Sequence, residues 1–278
     1  DESSFVSKAF YKKFLIMIGG ILCNIIFAYI VLVGIFATGL PKSPIFYPYN
    51  GTSTIDTVEK GSSAEKIGLL PGDRIISCDN VPLNNNPQQF LKTVNAKKGA
   101  PIQLTYERNN SEHTVELQSS QKTFLGNSVW DAGIKFNTEA TRGLSLINSI
   151  QKGINLTNQY IVLTINAFKY IFTSKDTSTV GGPLMIIKAT SQGASQGLSV
   201  FFFFLAILSI NLAILNLIPL PIFDGGQITI YGIEAIIRRS LPDVIRNGIA
   251  MASWALLLLL LVFLSIKDIL TIGFSWLK

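Results

Sequence analysis

Residues 216–226 read Asn-Leu-Ile-Pro-Leu-Pro-Ile-Phe-Asp-Gly-Gly and end an apolar run that starts near Leu198. The acid in this stretch, Asp224, therefore lies at the edge of a segment suited to hydrocarbon. A membrane tolerates polar or irregular backbone only where protein or a cavity surrounds it, so the stretch is a candidate functional site. Pro219 and Pro221 must end the helix, because proline lacks an N–H and pushes the preceding residue out of the helical conformation.

Two interpretations of Asp224 follow from the residues alone. Asp224 could cap a following helix, predicted from Gly225 to Arg239, since aspartate is a common N-cap residue. Alternatively it serves a functional site, and the adjacent pair Gly225-Gly226 allows another group to approach closely. The spacing by itself favours neither interpretation.

The composition is that of a membrane protein. Of the 278 residues, 48% are hydrophobic and 14% are charged, and the mean hydropathy is +0.41. Soluble domains carry about 25% charged residues. The net charge of +6 is small, and the positions of the basic residues explain it better than a nucleic-acid partner does. We therefore expect the lipid bilayer, and no nucleic acid, as a partner.

The distribution of charge divides the chain into segments. Residues 14–40 carry no charge and exceed the roughly 20 residues that a transmembrane helix needs. Residues 143–196 combine helical spacing of apolar residues with a polar face, which suits the membrane interface. The predicted fold class is a polytopic α-helical membrane protein with an inserted extracytoplasmic, mainly β, domain. In chain order we expect a cytoplasmic flank (1–13), a transmembrane helix (14–40), the β domain (50–122), amphipathic helices (143–196), a transmembrane helix (198–219), a cytoplasmic segment (220–246), a transmembrane helix (247–266) and a tail (267–278).

Basic residues set the predicted orientation. One cluster precedes the first predicted span and a second follows the 216–226 stretch, and positive residues favour the cytoplasmic side. Three spans place both clusters inside and residues 50–122 outside, whereas a fourth span would put one cluster on the wrong side. The residues concerned are Lys12, Lys13, Arg238, Arg239 and Arg246.

The polar region between the first two spans has the pattern of a small β domain. Turn residues separate short β-rich runs, predicted at Ser53–Val58, Arg74–Ser77, Pro101–Glu107 and His113–Leu117, with short helices at Ser62–Ile67 and Asn86–Asn95. This order, with the string from Gly61 to Ile75, resembles a PDZ domain of the circularly permuted bacterial kind. PDZ domains capture an extended peptide by adding it to a sheet edge. The sequence does not show which edge is open.

The stretch 216–226 resembles the Asn-x-x-Pro-x-Pro-x-Leu-Asp-Gly-Gly segment of the site-2 protease family, the zinc metalloproteases that cut inside membranes. Phe223 replaces the leucine. The resemblance implies that Asp224 is the third protein ligand of the zinc ion and that Asn216 helps to hold the substrate backbone.

A second segment carries the same resemblance. Lys8 through Ala28 is similar to the family's second conserved helix, which usually reads Gly-Pro-x-x-Asn. Asn24 matches the asparagine and is therefore a second predicted substrate-binding residue, while Ile21 replaces the proline.

The resemblance implies an intramembrane zinc metalloprotease of the bacterial cytoplasmic (inner) membrane, with Zn²⁺ as cofactor. Its implied substrates are transmembrane proteins of the anti-sigma factor or remnant signal peptide type. Such a site needs three protein ligands and usually takes two of them from a His-Glu-x-x-His helix. This chain has one histidine, His113, in the β region. We therefore expect no catalytic residue in this chain and a truncation before the His-Glu-x-x-His helix.

Two alternatives from other functional classes remain open. One is an inactive membrane scaffold that binds protein tails through its PDZ-like domain. The other is a transporter that uses the broken helix at residues 219–226 as an ion site, although no second, inverted copy of the motif is present. The upstream sequence of the complete protein separates the protease from the scaffold.

Overall fold

The computed structural model describes residues 10–124, 127–174, 183–239 and 241–276. They form two compact units. A helical unit combines the residues up to Ile35 with those from Ser145 onward, and a sheet unit comprises Phe36–Leu144. The helices of the described residues are α1 (Phe10–Thr38), α2 (Ser63–Lys66), α3 (Pro87–Lys97), α4 (Leu146–Ser174), α5 (Pro183–Ser195), α6 (Leu198–Leu217), α7 (Asp224–Ile237) and α8 (Asp243–Trp276).

Three of these helices are long and apolar enough to cross a membrane: Phe10–Thr38, Leu198–Leu217 and Val244–Leu270. Three was also the number predicted from the sequence. The helix α1 begins four residues before the uncharged stretch, because the lysines at its start do not interrupt backbone hydrogen bonding. For the same reason α8 continues beyond the predicted span at both ends.

The predicted amphipathic segment, 143–196, is formed by α4 and α5, and the Gly181-Gly182 pair within it lies outside the described residues. The polar side chains of α4 find partners on neighbouring helices. The hydroxyl of Tyr29 on α1 donates to Oδ1 of Asn158 at 2.5 Å. The Thr164 hydroxyl donates to Oδ1 of Asn211 on α6 at 3.0 Å. These hydrogen bonds fix α4 against α1 and α6.

A buried acid joins α5 to α8. The Met185 N–H, in the first turn of α5, donates to Oδ2 of Asp268 at 3.0 Å, and Asp268 is only 2% exposed. The first N–H groups of a helix have no partner within the helix, and a carboxylate that accepts from them is a favourable one. Asp268 therefore caps a helix to which it does not belong.

The strands of the sheet unit are β1 (Gly51–Val58), β2 (Arg74–Cys78), β3 (Val81–Pro82), β4 (Ile102–Arg108), β5 (Ser111–Leu117), β6 (Ser120–Phe124), β7 (Asn127–Asp131) and β8 (Ile134–Thr138). The main sheet is antiparallel with the order β5-β4-β2-β1-β8; β3 pairs with β2, and β6 and β7 form a separate hairpin. The four predicted strands correspond to β1, β2, β4 and β5, and the two predicted helices to α2 and α3.

The sheet unit extends beyond the predicted domain, residues 50–122. Its last strand, β8, pairs with β1 so that Val58 is opposite Ile134 and Gly51 is opposite Thr138. The core lies between this sheet and α3, where the rings of Phe90 and Phe136 meet edge to face at 5.2 Å. His113 lies on β5, in the strand predicted from His113 to Leu117; it is exposed, and its ring stacks on Tyr106.

A buried carboxylate, Asp73, forms an ion pair with Arg108 in the sheet unit. Asp73 is 2% exposed; its two carboxylate oxygens accept from Nε and Nη2 of Arg108, each at 2.7 Å, and Oδ2 also accepts from the Leu70 N–H. Burial alone would raise the pKa of the Asp73 carboxyl, but these hydrogen bonds outweigh it and bring the pKa below its ordinary value.

The depressed pKa makes the stability of the sheet unit sensitive to acid. The ionised pair stabilises the fold above the ordinary aspartate pKa of about 4, and this contribution is lost as pH falls from there through the lower folded-state value. We expect Asp73→Asn to lower the free energy of unfolding at pH 7 by about 1.5–3 kcal/mol, and to weaken the pH dependence. Urea unfolding of the chain at several pH values measures both effects, with hydrogen exchange in peptides from the sheet as the signal. The exposed Asp56 on β1 provides the control, and equal effects of Asp56→Asn and Asp73→Asn would contradict the assignment.

Candidate metal centre

The connection between α6 and α7 is built by its prolines. The helix α6 ends at Leu217, and its cap residue Ile218 is extended with φ −67° and ψ 134°, as required of a residue before Pro219. The Phe223 N–H then donates to the Leu220 carbonyl at 2.8 Å, and α7 begins at the next residue. Residues 218–223 therefore form a short turn, and not a continuation of the helix.

Two glycines bring the start of α7 directly against the end of α6. A Cβ atom on Gly225 would lie 2.5 Å from the Leu217 carbonyl oxygen, and one on Gly226 would lie 2.1 Å from the Leu220 carbonyl oxygen. Real Cβ atoms do not approach backbone so closely, so neither position has room for a side chain. The predicted close approach is confirmed, and the group that approaches is the backbone of the motif itself.

Side chains of α7 hold the same turn. Nε2 of Gln227 donates to the Pro221 carbonyl at 2.7 Å, and the Thr229 hydroxyl donates to the Gly225 carbonyl at 2.7 Å. The Gln227 hydrogen bond ties α7 to the turn, whereas the Thr229 hydrogen bond stays within the first turns of the helix.

That first residue is Asp224. The cap position belongs to Phe223, and no side chain caps this helix, so the interpretation of Asp224 as an N-cap is wrong in this structure. The Asp224 side chain is half-buried. Within the described ranges, no group donates a hydrogen bond to its carboxylate and no cation pairs with it.

The carboxylate faces the middle of α1. A Cβ atom added to Gly20 would lie 3.9 Å from Oδ2 of Asp224, so the backbone of α1 passes directly beside the acid. Asn24 lies one helical turn farther along the same face of α1, since it is four residues from Gly20. The structure thus brings together the two segments that carry the family resemblance, although Gly20 and Asp224 are 204 residues apart in the chain.

Asn216 occupies the last turn of α6, and its backbone carbonyl oxygen would lie 2.9 Å from a Cβ atom on Gly225. Both Asn216 and Asn24 are half-buried. Neither carboxamide has a hydrogen-bond partner among the residues that the structure describes. The candidate site therefore has three polar side chains that are available to bind other groups: Asp224, Asn216 and Asn24.

The place of Gly20 beside Asp224 was not predicted from the sequence. Its spacing of four from Asn24 was the available signal, because residues four apart share a helix face. The approach of Asp224 to that face depends on how α1 packs in the folded chain. Local sequence patterns do not predict this packing.

The described residues contain no cluster of three or more His, Cys, Asp or Glu side chains that could hold a metal ion. A protein zinc site of the hydrolytic kind needs three protein ligands and an open position. The carboxylate of Asp224 is a suitable ligand type, and its lack of a hydrogen-bond partner fits one member of a larger ligand set. Asp224 is thus compatible with zinc but does not make a site by itself.

An apolar pocket of about 240 Å³ adjoins the motif. Helices α4, α6 and α8 contribute to its wall, together with residues of the turn, including Ile222 and Phe223. The replacement of the motif's leucine by Phe223 therefore keeps an apolar side chain on an apolar surface.

Several known proteins are similar in sequence to this chain. CPE1693 of Clostridium perfringens (strain 13 / Type A), named as a zinc metalloprotease, is 28% identical over 273 residues, covering 97% of this chain and 77% of that protein. The chloroplastic membrane metalloprotease ARASP of Arabidopsis thaliana is 27% identical, covering 99% of this chain and 62% of that protein. The regulator of sigma E protease of Haemophilus influenzae is 30% identical, covering 78% of this chain and 49% of that protein. The chain thus spans between about half and three quarters of the length of these relatives.

Among solved structures, the PDZ domain of the SdrC-like protein from Listeria monocytogenes matches 32% of this chain and 88% of its own length, with 19% identity and a TM-score of 0.27. Residues 1–260 match the family described as Peptidase family M50. This match covers most of the sequence and includes both α1 and the motif at the start of α7. The chain belongs to peptidase family M50, the family of the site-2 proteases.

Proposed function

We propose that the complete protein is an intramembrane zinc metalloprotease that hydrolyses peptide bonds of transmembrane proteins. One observation carries the proposal: the half-buried Asp224 carboxylate has no partner among the described residues and faces the Gly20 backbone of α1. A carboxylate in a membrane is costly when unpaired, so such a residue is retained for a function. Membership of a metallopeptidase family supports zinc as that function's cofactor.

Asp224 would supply one ligand of the zinc ion. The prolines end α6 so that the acid can stand at the start of α7, and the glycines fix that start against backbone. The remaining ligands would come from other parts of the complete protein, because the usual zinc-binding helix supplies two histidines and this sequence contains one. When bound, zinc supplies a Lewis acid for the scissile carbonyl and an activated water molecule.

Asn216 and Asn24 would bind the substrate. A carboxamide both donates and accepts hydrogen bonds, which suits a peptide backbone that enters a site without bulk water. Both side chains are half-buried, and neither has a hydrogen-bond partner within the described parts of the chain. A substrate strand could therefore bond to them without breaking a contact of the resting protein.

Removal of zinc tests the proposal. Dialysis of the purified complete protein against a chelator should abolish cleavage of a transmembrane substrate in detergent or liposomes, and added zinc should restore it. The control is the same dialysis with the chelator saturated by zinc. A protein that binds membrane-protein tails but neither holds zinc nor cleaves would instead be the scaffold.

The sheet unit would act as a PDZ-like domain that recruits substrates or excludes uncut ones. The strand β8 ends the sheet order, and α3 lies beside it through Phe90 and Phe136. An exposed strand edge next to a helix is the arrangement in which an added peptide gains main-chain hydrogen bonds and side-chain pockets. We therefore propose β8 as the edge that receives a peptide.

The proposed topology places the sheet unit outside the cytoplasm and residues 220–246 inside, in the cytoplasmic membrane of a bacterium. The distribution of basic residues supports it. Single cysteines at positions 80 and 240, introduced after Cys23 and Cys78 are replaced, should label from opposite sides of intact cells. Labelling of both from one side would overturn the arrangement.

A further inference from the structure

A second pocket, of about 260 Å³, lies in the helical unit. It is polar, and it shares no lining residue with the apolar pocket beside the motif. The first turn of α1 and the C-terminal half of α7 form its wall. Its lining includes three cations, two aromatic rings and one acid: Lys13, Arg238, Arg239, Phe10, Tyr231 and Glu234.

Lys13 is a buried cation in this pocket. Only 9% of its surface is exposed, and its Nζ lies 4.3 Å from the centroid of the Tyr231 ring. In the described parts of the chain, no carboxylate lies within ion-pair distance of this ammonium group. A cation–π contact recovers only part of the cost of removing a charge from water. The pocket therefore presents a positive charge that has no anionic partner among the described residues.

The acid of the lining is already engaged. Oε1 of Glu234 accepts from Nη2 of Arg246 at 2.5 Å and from the Leu241 N–H at 2.8 Å. Glu234 thus neutralises Arg246, which does not line the pocket. The charges of Lys13, Arg238 and Arg239 have no salt bridge to any described residue, so the pocket carries an excess of positive charge.

The surroundings of the pocket are those of a membrane surface. Lys13 immediately precedes the uncharged run of α1, which is a candidate span. On the face of α7 opposite the pocket, large apolar side chains are exposed: Ile233 at 42%, Ile236 at 83% and Ile237 at 56%. A helix with such a face lies in the headgroup region with its apolar side towards acyl chains.

We propose that this pocket binds the phosphate of an anionic phospholipid headgroup. Basic pockets at the ends of membrane helices bind acidic headgroups by charge, and here the phosphate would supply the anion that Lys13 lacks. The acyl chains would follow the uncharged run of α1, which starts next to Lys13. Because α7 begins with Asp224, a lipid bound at its other end would brace the helix that positions the metal ligand.

The experiment uses the complete protein in nanodiscs of phosphatidylcholine, with or without phosphatidylglycerol, and counts retained lipid by native mass spectrometry. We expect preferential retention of phosphatidylglycerol, with affinity falling roughly fivefold for each cation removed. The variants are Lys13→Gln and the double variant Arg238→Gln/Arg239→Gln, whose exposed side chains make misfolding less of a concern. Melting in pure phosphatidylcholine confirms that each variant is folded.

The exposed Lys169 on α4 lies outside the pocket, so Lys169→Gln removes the same charge and should leave retention unchanged. Equal retention of the two lipids by the wild type would overturn the proposal, as would an equal loss in Lys169→Gln. Inorganic phosphate added to the nanodiscs that contain phosphatidylglycerol distinguishes the source of the ligand. If it displaces phosphatidylglycerol at millimolar concentration, the pocket serves a soluble phosphate and the lipid assignment is wrong.

Discussion

Asp224→Asn in the complete protein should abolish both zinc binding and cleavage of a transmembrane substrate. The amide keeps the shape of the side chain but loses the negative charge that a zinc ligand needs. Loss of an outer partner of a metal ligand already costs roughly 10–100-fold in affinity or activity, and loss of the ligand itself should exceed that. Zinc content by atomic emission and the cleavage rate of the purified variant are the two measurements.

The fold should survive this change. Asp224 is the first residue of α7 and accepts no hydrogen bond within the described ranges, so its structural contribution is confined to the helix dipole. A negative charge in the first turn contributes about 0.3–1 kcal/mol at a surface site. A melting temperature close to that of the wild type, together with loss of zinc, would therefore separate a ligand from a structural residue.

Asn216→Ala is the matched control for the same site. It removes a polar side chain from the end of α6, while the carbonyl that packs against Gly225 remains. We expect bound zinc to stay near the wild-type value while substrate cleavage falls. Near-normal zinc and cleavage in Asp224→Asn would remove the main support for the protease proposal, whereas loss of zinc in Asn216→Ala would make Asn216 a structural residue.

The three candidate membrane-spanning helices were predictable because hydrocarbon leaves an uncharged chain few choices. Inside a bilayer, a segment such as 14–40 would have no water to satisfy its backbone, and only a helix satisfies that backbone from within. The end of α6 was equally readable, since Pro219 and Pro221 prohibit its continuation. These features depend on residues that are adjacent in the sequence.

The strands β6, β7 and β8 were not predicted: β8 has a distant partner, and the β6–β7 hairpin has little hydrophobic pattern. β8 is five residues long and polar at alternate positions, and it pairs with β1, which lies about 80 residues earlier. β6 contains a single large apolar residue, Phe124, so its sequence gives little hydrophobic pattern. A strand is defined by its neighbour as much as by its own residues, and pairing over such distances leaves no local signal.

Only part of the candidate site could be predicted from the sequence, because the rest depends on contacts between segments that are distant in the chain. The motif residues Asn216 and Asp224 could be recognised from their order in the chain, as could Asn24. The approach of Gly20 to Asp224 and the burial of Lys13 against Tyr231 arise only when α1 packs against α7. Residue patterns identified which groups could act, and the folded chain determined which of them meet.

Gly226→Ala should be nearly as damaging to activity as loss of the ligand, although it adds only a methyl group. That group would lie 2.1 Å from the carbonyl oxygen of Leu220, 2.2 Å from its carbonyl carbon and 2.5 Å from the nitrogen of Pro221. All three atoms belong to backbone, so no side-chain rotation relieves the overlap. Either α7 moves away from the turn, or the turn between the two prolines must change.

Movement of α7 would carry Asp224 with it, because the acid is the first residue of that helix. Overpacking of this kind costs typically about 1–3 kcal/mol in stability, and a displacement of about 1 Å at a catalytic centre can cost roughly 100-fold in rate. We therefore expect weaker zinc binding and a large loss of cleavage in a protein that still folds.

Gly232→Ala on the same helix is the control, since its methyl group would meet nothing closer than the Phe10 ring at 4.0 Å. That variant should keep normal zinc and activity, because alanine is the better helix former. Zinc content, cleavage rate and melting temperature should be measured for both variants. Equal behaviour of the two variants would mean that the turn changes shape to accommodate the methyl group. The backbone contact at Gly226 would then not fix the position of Asp224.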